Sequence, residues 1–189
     1  MIKDLVLKNR SYRRFHQEEK ISSEDLRELI NLARLSPSGS NLQPLKFILS
    51  NEVERNKTIF KNLAWAGYLK DWDGPEEGER PSAYIIILGP ENPVKPFDYD
   101  VALACQSMLL GAVEKGYGGC IFGSIKRIPL SKELNIPEHL KIQLILALGK
   151  PKEKVCIDPI QNDDVKYWRD EKKVHHVPKR HLDDLIIEL

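Results

Sequence analysis

The stretch SPSGSNLQP, residues 36–44, divides the first third of the chain into a helix and a strand. Before it, Ser22 and Ser23 are typical helix caps, and apolar residues then recur at helical spacing. Pro37 and Gly39 end that helix, and residues 46–50 predict a strand. The loop itself carries hydroxyl and amide groups, which are suited to hydrogen-bonding the rim of a planar heterocycle.

The pattern continues outward from this loop as alternating helices and apolar strands. Further helices are predicted over residues 52–63 and from Asp98 or Asp100 to about Lys115, and further strands over 83–88, 119–125 and 141–148. Three or four strands with intervening helices indicate a layered mixed α/β or α+β fold in a single domain, residues 1–189. Near the end, Ile186 and Ile187 predict either an edge strand or a contact with a partner.

Residues 64–82, AWAGYLKDWDGPEEGERPS, lack a clear period, and we name them the aromatic segment. They predict a mobile excursion from the domain. Trp65, Tyr68 and Trp72 have two interpretations here: they stack on an aromatic substrate, or they pack the segment against the protein body.

Composition excludes several classes of protein. The 189 residues contain 29 Lys and Arg against 28 Asp and Glu, so the net charge of +1 predicts neither a nucleic-acid partner nor an anionic membrane. The longest apolar stretch, residues 101–113, is too short to span a membrane. Cys105, Cys120 and Cys156 are odd in number and form no CxxC pair. We therefore expect a soluble, cytoplasmic protein without disulfides.

Positive charge is nevertheless concentrated at both ends of the chain. Residues 1–14 contain five Lys and Arg against one Asp, and residues 172–181 contain four fixed cations, three histidines and no acid. If the two clusters meet, they would hold one anion, since arginine binds phosphate in a bidentate manner. The alternative is a pair of solvated surface patches.

A metal site is not expected from the histidines in the second cluster. His175 and His176 are adjacent, and neither they nor His181 have a carboxylate or cysteine at convincing ligand spacing. We expect these three histidines to lie on the surface or beside a bound phosphate.

Together these motifs resemble the FMN-dependent nitroreductases. The resemblance rests on RSYRRF at 10–15, SPSGSNLQP at 36–44, GYGG at 116–119 and PKR at 178–180, in the same order along nearly the whole chain. It implies an α+β fold: a three-layer α/β/α sandwich with a mixed, mainly antiparallel sheet. It also implies a homodimer in which the C-terminal segment packs on the partner.

The resemblance further implies an FMN site with defined contacts. Arg10 and Ser11 would contact the phosphate, and Arg13 would lie near the N1/O2 edge of the flavin ring. Lys179 and Arg180 would close on the phosphate from the C-terminal side. A fixed cation at N1/O2 stabilises the negative charge of reduced flavin.

Two other segments would complete this site. The loop that reaches the flavin from the other subunit would be supplied by Pro37, Ser38, Gly39 and Asn41. Gly123 and Ser124 fall where the family places a backbone N–H at flavin N5. Two departures, Asn9 in place of a basic residue and Leu45 in place of Trp, leave the flavin prediction intact.

The implied activity is hydride transfer from NADH or NADPH through FMN to a small electron-poor acceptor, a nitroaromatic or a quinone, by a ping-pong mechanism. Because the flavin carries the chemistry, no catalytic side chain is required. Two alternatives remain open. One is a non-catalytic flavin-binding or regulatory protein, and the other is a related dehalogenase-type or flavin-fragmenting activity.

Overall fold

The computed structural model describes residues 1–188, and its centre is an antiparallel sheet. The strands are β1 (Phe15–His16), β2 (Lys46–Ser50), β3 (Ala83–Pro90), β4 (Gly118–Phe122) and β5 (Leu140–Pro151). Their order is β2–β3–β5–β4, and β1 pairs with the last residues of β5. Every one of these pairings is antiparallel. The twelve-residue β5 therefore pairs with three strands, β1, β3 and β4, and β2 joins the sheet through β3.

Helices cover both faces of this sheet. They are α1 (Ile2–Lys8), α2 (Ser23–Leu35), α3 (Val53–Phe60), α4 (Asp98–Glu114) and α5 (Arg127–Glu133). Successive residues of a strand point to opposite faces, so Ile85 and Ile87 of β3 pack under α2 and α4. Ile86 and Leu88 pack on the other side, with α3 and α5. The result is the three-layer α/β/α arrangement that was expected.

A second, smaller sheet follows β5. It consists of β6 (Val155–Pro159), β7 (Trp168–Arg169) and β8 (His175–Lys179), in the order β6–β8–β7. The β6–β8 pairing is parallel and the β7–β8 pairing is antiparallel. The sequence did not predict this sheet, because its strands are short and polar and are stabilised by partners distant in the chain.

The main elements agree with the sequence predictions, with shifts at their ends. Ser22 caps α2, its hydroxyl accepting the Asp25 N–H at 3.0 Å. The predicted helix over 52–63 is shorter, and the predicted strand over 119–125 ends at Phe122. The short helices α1 and α5 were not predicted. No helix in the described part of the chain is long and apolar enough to cross a membrane.

The chain's last described residues form no strand. After a single 3-10 turn at Asp183–Leu185, Ile186 and Ile187 lie in irregular backbone and are 56% and 84% exposed. The edge-strand interpretation is thus wrong for residues 186–188. Contact with a partner stays a prediction.

Candidate active site

The two basic clusters meet in one cavity of about 310 Å³. We name it the cationic cavity. It is lined by Asn9, Arg10, Ser11, Arg13, Gln106, Leu109, Gly119, Ile121, Tyr167, His175, Val177 and Lys179. Four of the eleven predicted cofactor-binding residues are in that set: Arg10, Ser11, Arg13 and Lys179.

Pairing with β4 positions the N-terminal side of the cavity. Ser11 forms a parallel bridge to Gly119, and the Tyr12 N–H donates to the Gly119 carbonyl at 3.0 Å. The approach is close enough to require glycine at 118, because a Cβ there would lie 2.5 Å from the Tyr12 ring. Strand β4 therefore holds Ser11 and Arg13 at the rim of the cavity.

A buried carboxylate supports this segment from behind. The Glu153 side chain has no exposed surface, and it accepts the backbone N–H of Arg13 and, at 3.2 Å, that of Arg14. Arg169 completes the pairing with an Nη2–Oε2 distance of 3.2 Å. Sequence reasoning missed Glu153, because a lone Glu after an apolar strand gives no local signal.

Arg13 is held on two further sides inside the cavity. Its Nη1 lies 3.1 Å from His175 Nε2, and its guanidinium carbon lies 4.7 Å from the centre of the Tyr167 ring. Burial, together with the charges of Arg13 and Arg169, lowers the pKa of His175 to about 4. The imidazole is therefore neutral at pH 7 and accepts from Arg13, since a guanidinium has donors only.

The chemistry of this set fits a phosphate monoester such as that of FMN. Arg10, Arg13 and Lys179 are cations, Ser11 adds a hydroxyl, and no carboxylate lines the cavity among the described residues. The buried Arg10 Nε also has no hydrogen-bond partner within residues 1–188. Three cations in one cavity without a carboxylate partner favour an anionic ligand.

Arg180, in contrast, is not in the cavity. Its guanidinium pairs with Asp163 at 2.5 Å on the protein surface. Neighbouring residues at a strand end point to opposite sides, so only Lys179 faces the cavity. The structure thus does not bring Arg180 to the predicted phosphate site.

Gly123 and Ser124 also lie outside the cavity lining. They follow the end of β4 and are exposed, two and three residues beyond Ile121, the last β4 residue that lines the cavity. The Ser124 carbonyl accepts the Ala64 N–H at 3.0 Å, which ties the start of the aromatic segment to β4. The predicted contact of this pair with flavin N5 stays a prediction.

The 36–44 loop lines a different cavity of about 310 Å³ in this protomer, at the start of α4. Asp100 holds it, accepting the Ser38 hydroxyl at 2.5 Å and the Gly39 N–H at 3.0 Å. Pro37 is exposed beside them, and Asn41 adopts a positive φ of 54°. The four predicted loop residues are therefore grouped together, apart from the cationic cavity of the same chain.

The aromatic side chains of residues 64–82 have different surroundings. Trp65 is 8% exposed and packs on Phe122, with ring centres 4.6 Å apart, so the packing interpretation describes it here. Trp72 packs edge-on against Trp65 and beneath Arg169. Tyr68 alone of the three is half-exposed, and its ring lies 4.9 Å from Tyr167 at the cationic cavity.

Two of the three cysteines, Cys105 and Cys120, are buried thiols. Burial raises the pKa of Cys105 to about 12 and also raises that of Cys120, so both thiols are protonated at neutral pH. Within residues 1–188 no group of three His, Cys, Asp or Glu side chains is placed to hold a metal ion.

Comparison with known proteins identifies the family. The sequence model of the nitroreductase family matches residues 6–79 and 82–150. An iodotyrosine deiodinase of Thermotoga neapolitana is 29% identical over 168 residues, which cover 80% of this chain and 89% of that protein. A protein of Archaeoglobus fulgidus, provisionally named an NADH dehydrogenase/NAD(P)H nitroreductase, is 26% identical over 75% of this chain and 80% of its own length.

A solved structure agrees in fold over almost the full length. An oxidoreductase containing FMN superposes with a TM-score of 0.69 and 21% identity, covering 97% of this chain and 89% of that one. Since the family model matches most of the chain, this chain belongs to the nitroreductase family and is an oxidoreductase.

Proposed function

We propose that this chain binds FMN in the cationic cavity and oxidises NADH or NADPH, passing the electrons to an electron-poor acceptor such as a nitroaromatic or a quinone. The two substrates would use the same site in turn, in a ping-pong cycle. The observation that carries the proposal is the convergence of Arg10, Arg13 and Lys179 in a cavity without a carboxylate.

The chain's own groups have binding and electrostatic roles. We assign Arg10, Ser11 and Lys179 to the phosphate, because they combine fixed charge with a hydroxyl donor. We assign Arg13 to the N1/O2 edge of the flavin ring, where a fixed cation stabilises negative charge. Glu153 orients the backbone that carries Arg13. When bound, FMN supplies the centre that accepts and donates hydride.

Access to this site involves the aromatic segment. Tyr68 lies against Tyr167, which in turn lies against Arg13. We propose Tyr68 as the contact for a planar acceptor, with Trp65 and Trp72 packing the segment onto the protein. Replacing Tyr68 by Ala is expected to raise KM for aromatic acceptors while flavin content stays unchanged.

The site would be completed in a homodimer. The loop of residues 36–44 and the cationic cavity both lie along α4, at Asp100 and at Gln106. The loop is separate from the cavity of its own chain, and we propose that Pro37, Ser38, Gly39 and Asn41 reach the partner's cavity instead. Gly123 and Ser124 are proposed for the N5 side of the ring.

The first test of the phosphate assignment is cofactor retention. The double variant Arg10→Ala/Lys179→Ala is expected to lose FMN on gel filtration, because it removes two of the three cations. The matched control is Arg180→Ala, which removes a nearby cation paired with Asp163 outside the cavity and is expected to retain FMN. Stoichiometric flavin in the double variant would refute the assignment.

The activity is tested by the visible absorption spectrum under anaerobic conditions. Flavin bands that bleach on addition of NADH or NADPH support the proposed half-reaction. Bands that persist with both nucleotides favour a non-catalytic flavin-binding role instead. The absence of flavin bands after incubation with FMN would contradict the assignment of the cationic cavity.

A second candidate function is reductive dehalogenation, which the similarity to the Thermotoga neapolitana iodotyrosine deiodinase favours. In that reaction a carbon–halogen bond is replaced by a carbon–hydrogen bond and halide is released; the balance requires one proton, from solvent, and two electrons, which FMN reduced by NADH or NADPH would supply. Product analysis distinguishes the two: halide release from a halogenated phenol or tyrosine, at a rate that matches flavin reoxidation, would favour the dehalogenase.

A further inference from the structure

A further cavity lies beneath α3, on the side of the sheet opposite to α2 and α4. Its volume is about 60 Å³, and it shares no lining residue with the cationic cavity. Tyr84 is the second residue of β3, and Arg80 and Ser82 lie in the irregular backbone that leads into this strand. All three line this cavity.

These three side chains carry buried polar atoms that have no partner within residues 1–188: Arg80 Nε, Ser82 Oγ and Tyr84 Oη. Tyr84 has no exposed surface and Ser82 is 7% exposed. A buried hydroxyl or guanidinium N–H without a hydrogen bond destabilises the folded state, and the charged group does so more strongly. Three such groups in one cavity indicate a ligand that accepts hydrogen bonds.

Neighbouring groups do not satisfy these donors. The Asn56 side chain is already used, accepting the Ser50 hydroxyl at 2.7 Å and donating to the Ser82 carbonyl at 2.8 Å. The Gln17 side-chain oxygen Oε1 likewise accepts the backbone N–H of Gly78 and of Arg80. The side-chain oxygens of Asn56 and Gln17 are therefore committed to other partners.

The charge around the cavity is positive. Arg80 lies over the Phe60 ring, 4.4 Å from its centre, and forms no ion pair with any described carboxylate. Lys20 and one acid, Glu77, also line the cavity, as does Lys57, which pairs with Glu54 at 2.9 Å. Burial raises the pKa of Tyr84, so its hydroxyl remains protonated and available as a donor at neutral pH.

We propose that this cavity binds a small monovalent anion of the size of chloride or nitrate, held by Arg80 Nε and the hydroxyls of Ser82 and Tyr84. Its volume admits an ion of a few atoms and excludes a nucleotide or flavin. Because the site packs between α3 and β3, the anion would stabilise the fold and lie apart from the chemistry at the cationic cavity.

Thermal unfolding of the purified holoprotein tests the proposal. At constant ionic strength, replacing sodium gluconate by sodium chloride is expected to raise Tm in a saturable way by about 3–5 °C. Gluconate serves as the reference because it is too large for the cavity. Equal Tm values in the two salts would mean that the cavity holds only water, and would overturn the proposal.

Tyr84→Phe makes the test specific. If an anion bonds the hydroxyl, the variant has a lower Tm than the wild type in chloride and loses most of the chloride shift. If no anion binds, removing an unpaired buried hydroxyl leaves Tm unchanged or higher in both salts. The control is Tyr117→Phe, whose hydroxyl donates to Asp25 away from the cavity and which keeps the full chloride shift.

Two further measurements test the proposal even if the Tyr84→Phe variant does not fold. Ser82→Ala is expected to weaken the chloride shift in the same direction. A crystal grown in bromide is expected to show an anomalous peak between Arg80 and Tyr84. A water molecule at that position, without anomalous signal, would overturn the proposal.

Discussion

At the residue scale, Glu153 is the buried charge on which the geometry of the cationic cavity depends. Its carboxylate accepts hydrogen bonds from the backbone N–H groups of Arg13 and Arg14 and from the Arg169 side chain. Removing one partner of a buried ion pair leaves the other charge uncompensated, which costs about 3–5 kcal/mol.

Glu153→Ala is therefore expected to lower the free energy of unfolding by about 3–5 kcal/mol, measured by urea denaturation. The control is Glu54→Ala, which removes an exposed carboxylate paired with Lys57 and is expected to cost less than about 1 kcal/mol. Similar losses in both variants would contradict the structural role of Glu153.

His175 predicts a pH dependence of stability. Its pKa is about 4 in the folded protein and near 6.5 when unfolded, so the unfolded state binds more protons between these values. The stabilisation is complete above pH 6.5 and is lost as the pH falls toward 4, by up to about 3 kcal/mol.

We expect His175→Gln to remove this contribution and to flatten the dependence of unfolding free energy on pH between 6.5 and 4. Urea unfolding at several pH values measures the slope. Parallel curves for the wild type and the variant would show that the pKa of His175 is the same in the folded and unfolded states, against the proposed burial of a neutral imidazole.

At the scale of an element, the aromatic segment is attached at both ends instead of extending freely. Trp65 packs in the core at its start. At its end, Glu79 accepts from Arg14 at 2.5 and 2.6 Å and pairs with Lys152 at 3.1 Å. Mobility is thus expected in the middle of the segment, around Lys70, which is exposed.

Glu79→Gln is expected to speed trypsin cleavage after Lys70 by about tenfold, since a bidentate hydrogen bond to a charged group is lost. Glu76→Gln, an exposed carboxylate in the same segment, is the control and is expected to leave the rate unchanged. Equal rates in both variants would exclude Glu79 as the anchor.

The stabilisation by the Glu79–Arg14 ion pair depends on pH. Its hydrogen bond with Arg14 lowers the pKa of Glu79 to about 2, below the ordinary value of 4.5. The stabilisation is therefore complete above pH 4.5 and is lost as the pH falls toward 2. Hydrogen exchange in residues 64–82 is expected to accelerate over that range.

At the scale of the whole molecule, one face of α4 is apolar and exposed. Tyr99 is 86% and Leu103 is 43% exposed, and Gln106 on the same face lines the cationic cavity. Exposed apolar patches of this kind are typical of protein interfaces. We propose this face as part of the homodimer contact, beside the site it would complete.

Leu103→Glu is expected to weaken dimerisation by about 30-fold or more and to release FMN, because it places a charge in the proposed interface. Analytical ultracentrifugation and flavin content measure the two effects together. Ile128→Glu, at a 73% exposed position of α5 on the other face, is the control. A Leu103→Glu dimer that retains its flavin would contradict the proposed interface.

The sequence by itself determined the elements with a strong hydrophobic period. It predicted helix α2 with its Ser22 cap, strands β3 and β5, and the long helix α4. The reason is that the spacing of apolar residues along the chain shows which face of a helix or strand is buried. The sequence also predicted that Arg10, Ser11 and Arg13 would lie near a C-terminal cation in one anion site. The two charge clusters and the family motifs indicated this.

Only the tertiary structure decided how polar residues distant in the chain are paired. It turned Lys179 toward the cavity and Arg180 toward Asp163, buried Trp65 against Phe122, and placed Glu153 behind Arg13. The small sheet of β6, β7 and β8 was likewise decided only by the tertiary structure. A hydrogen bond or ion pair between distant residues leaves no local period, so its partners become visible only once the chain is folded.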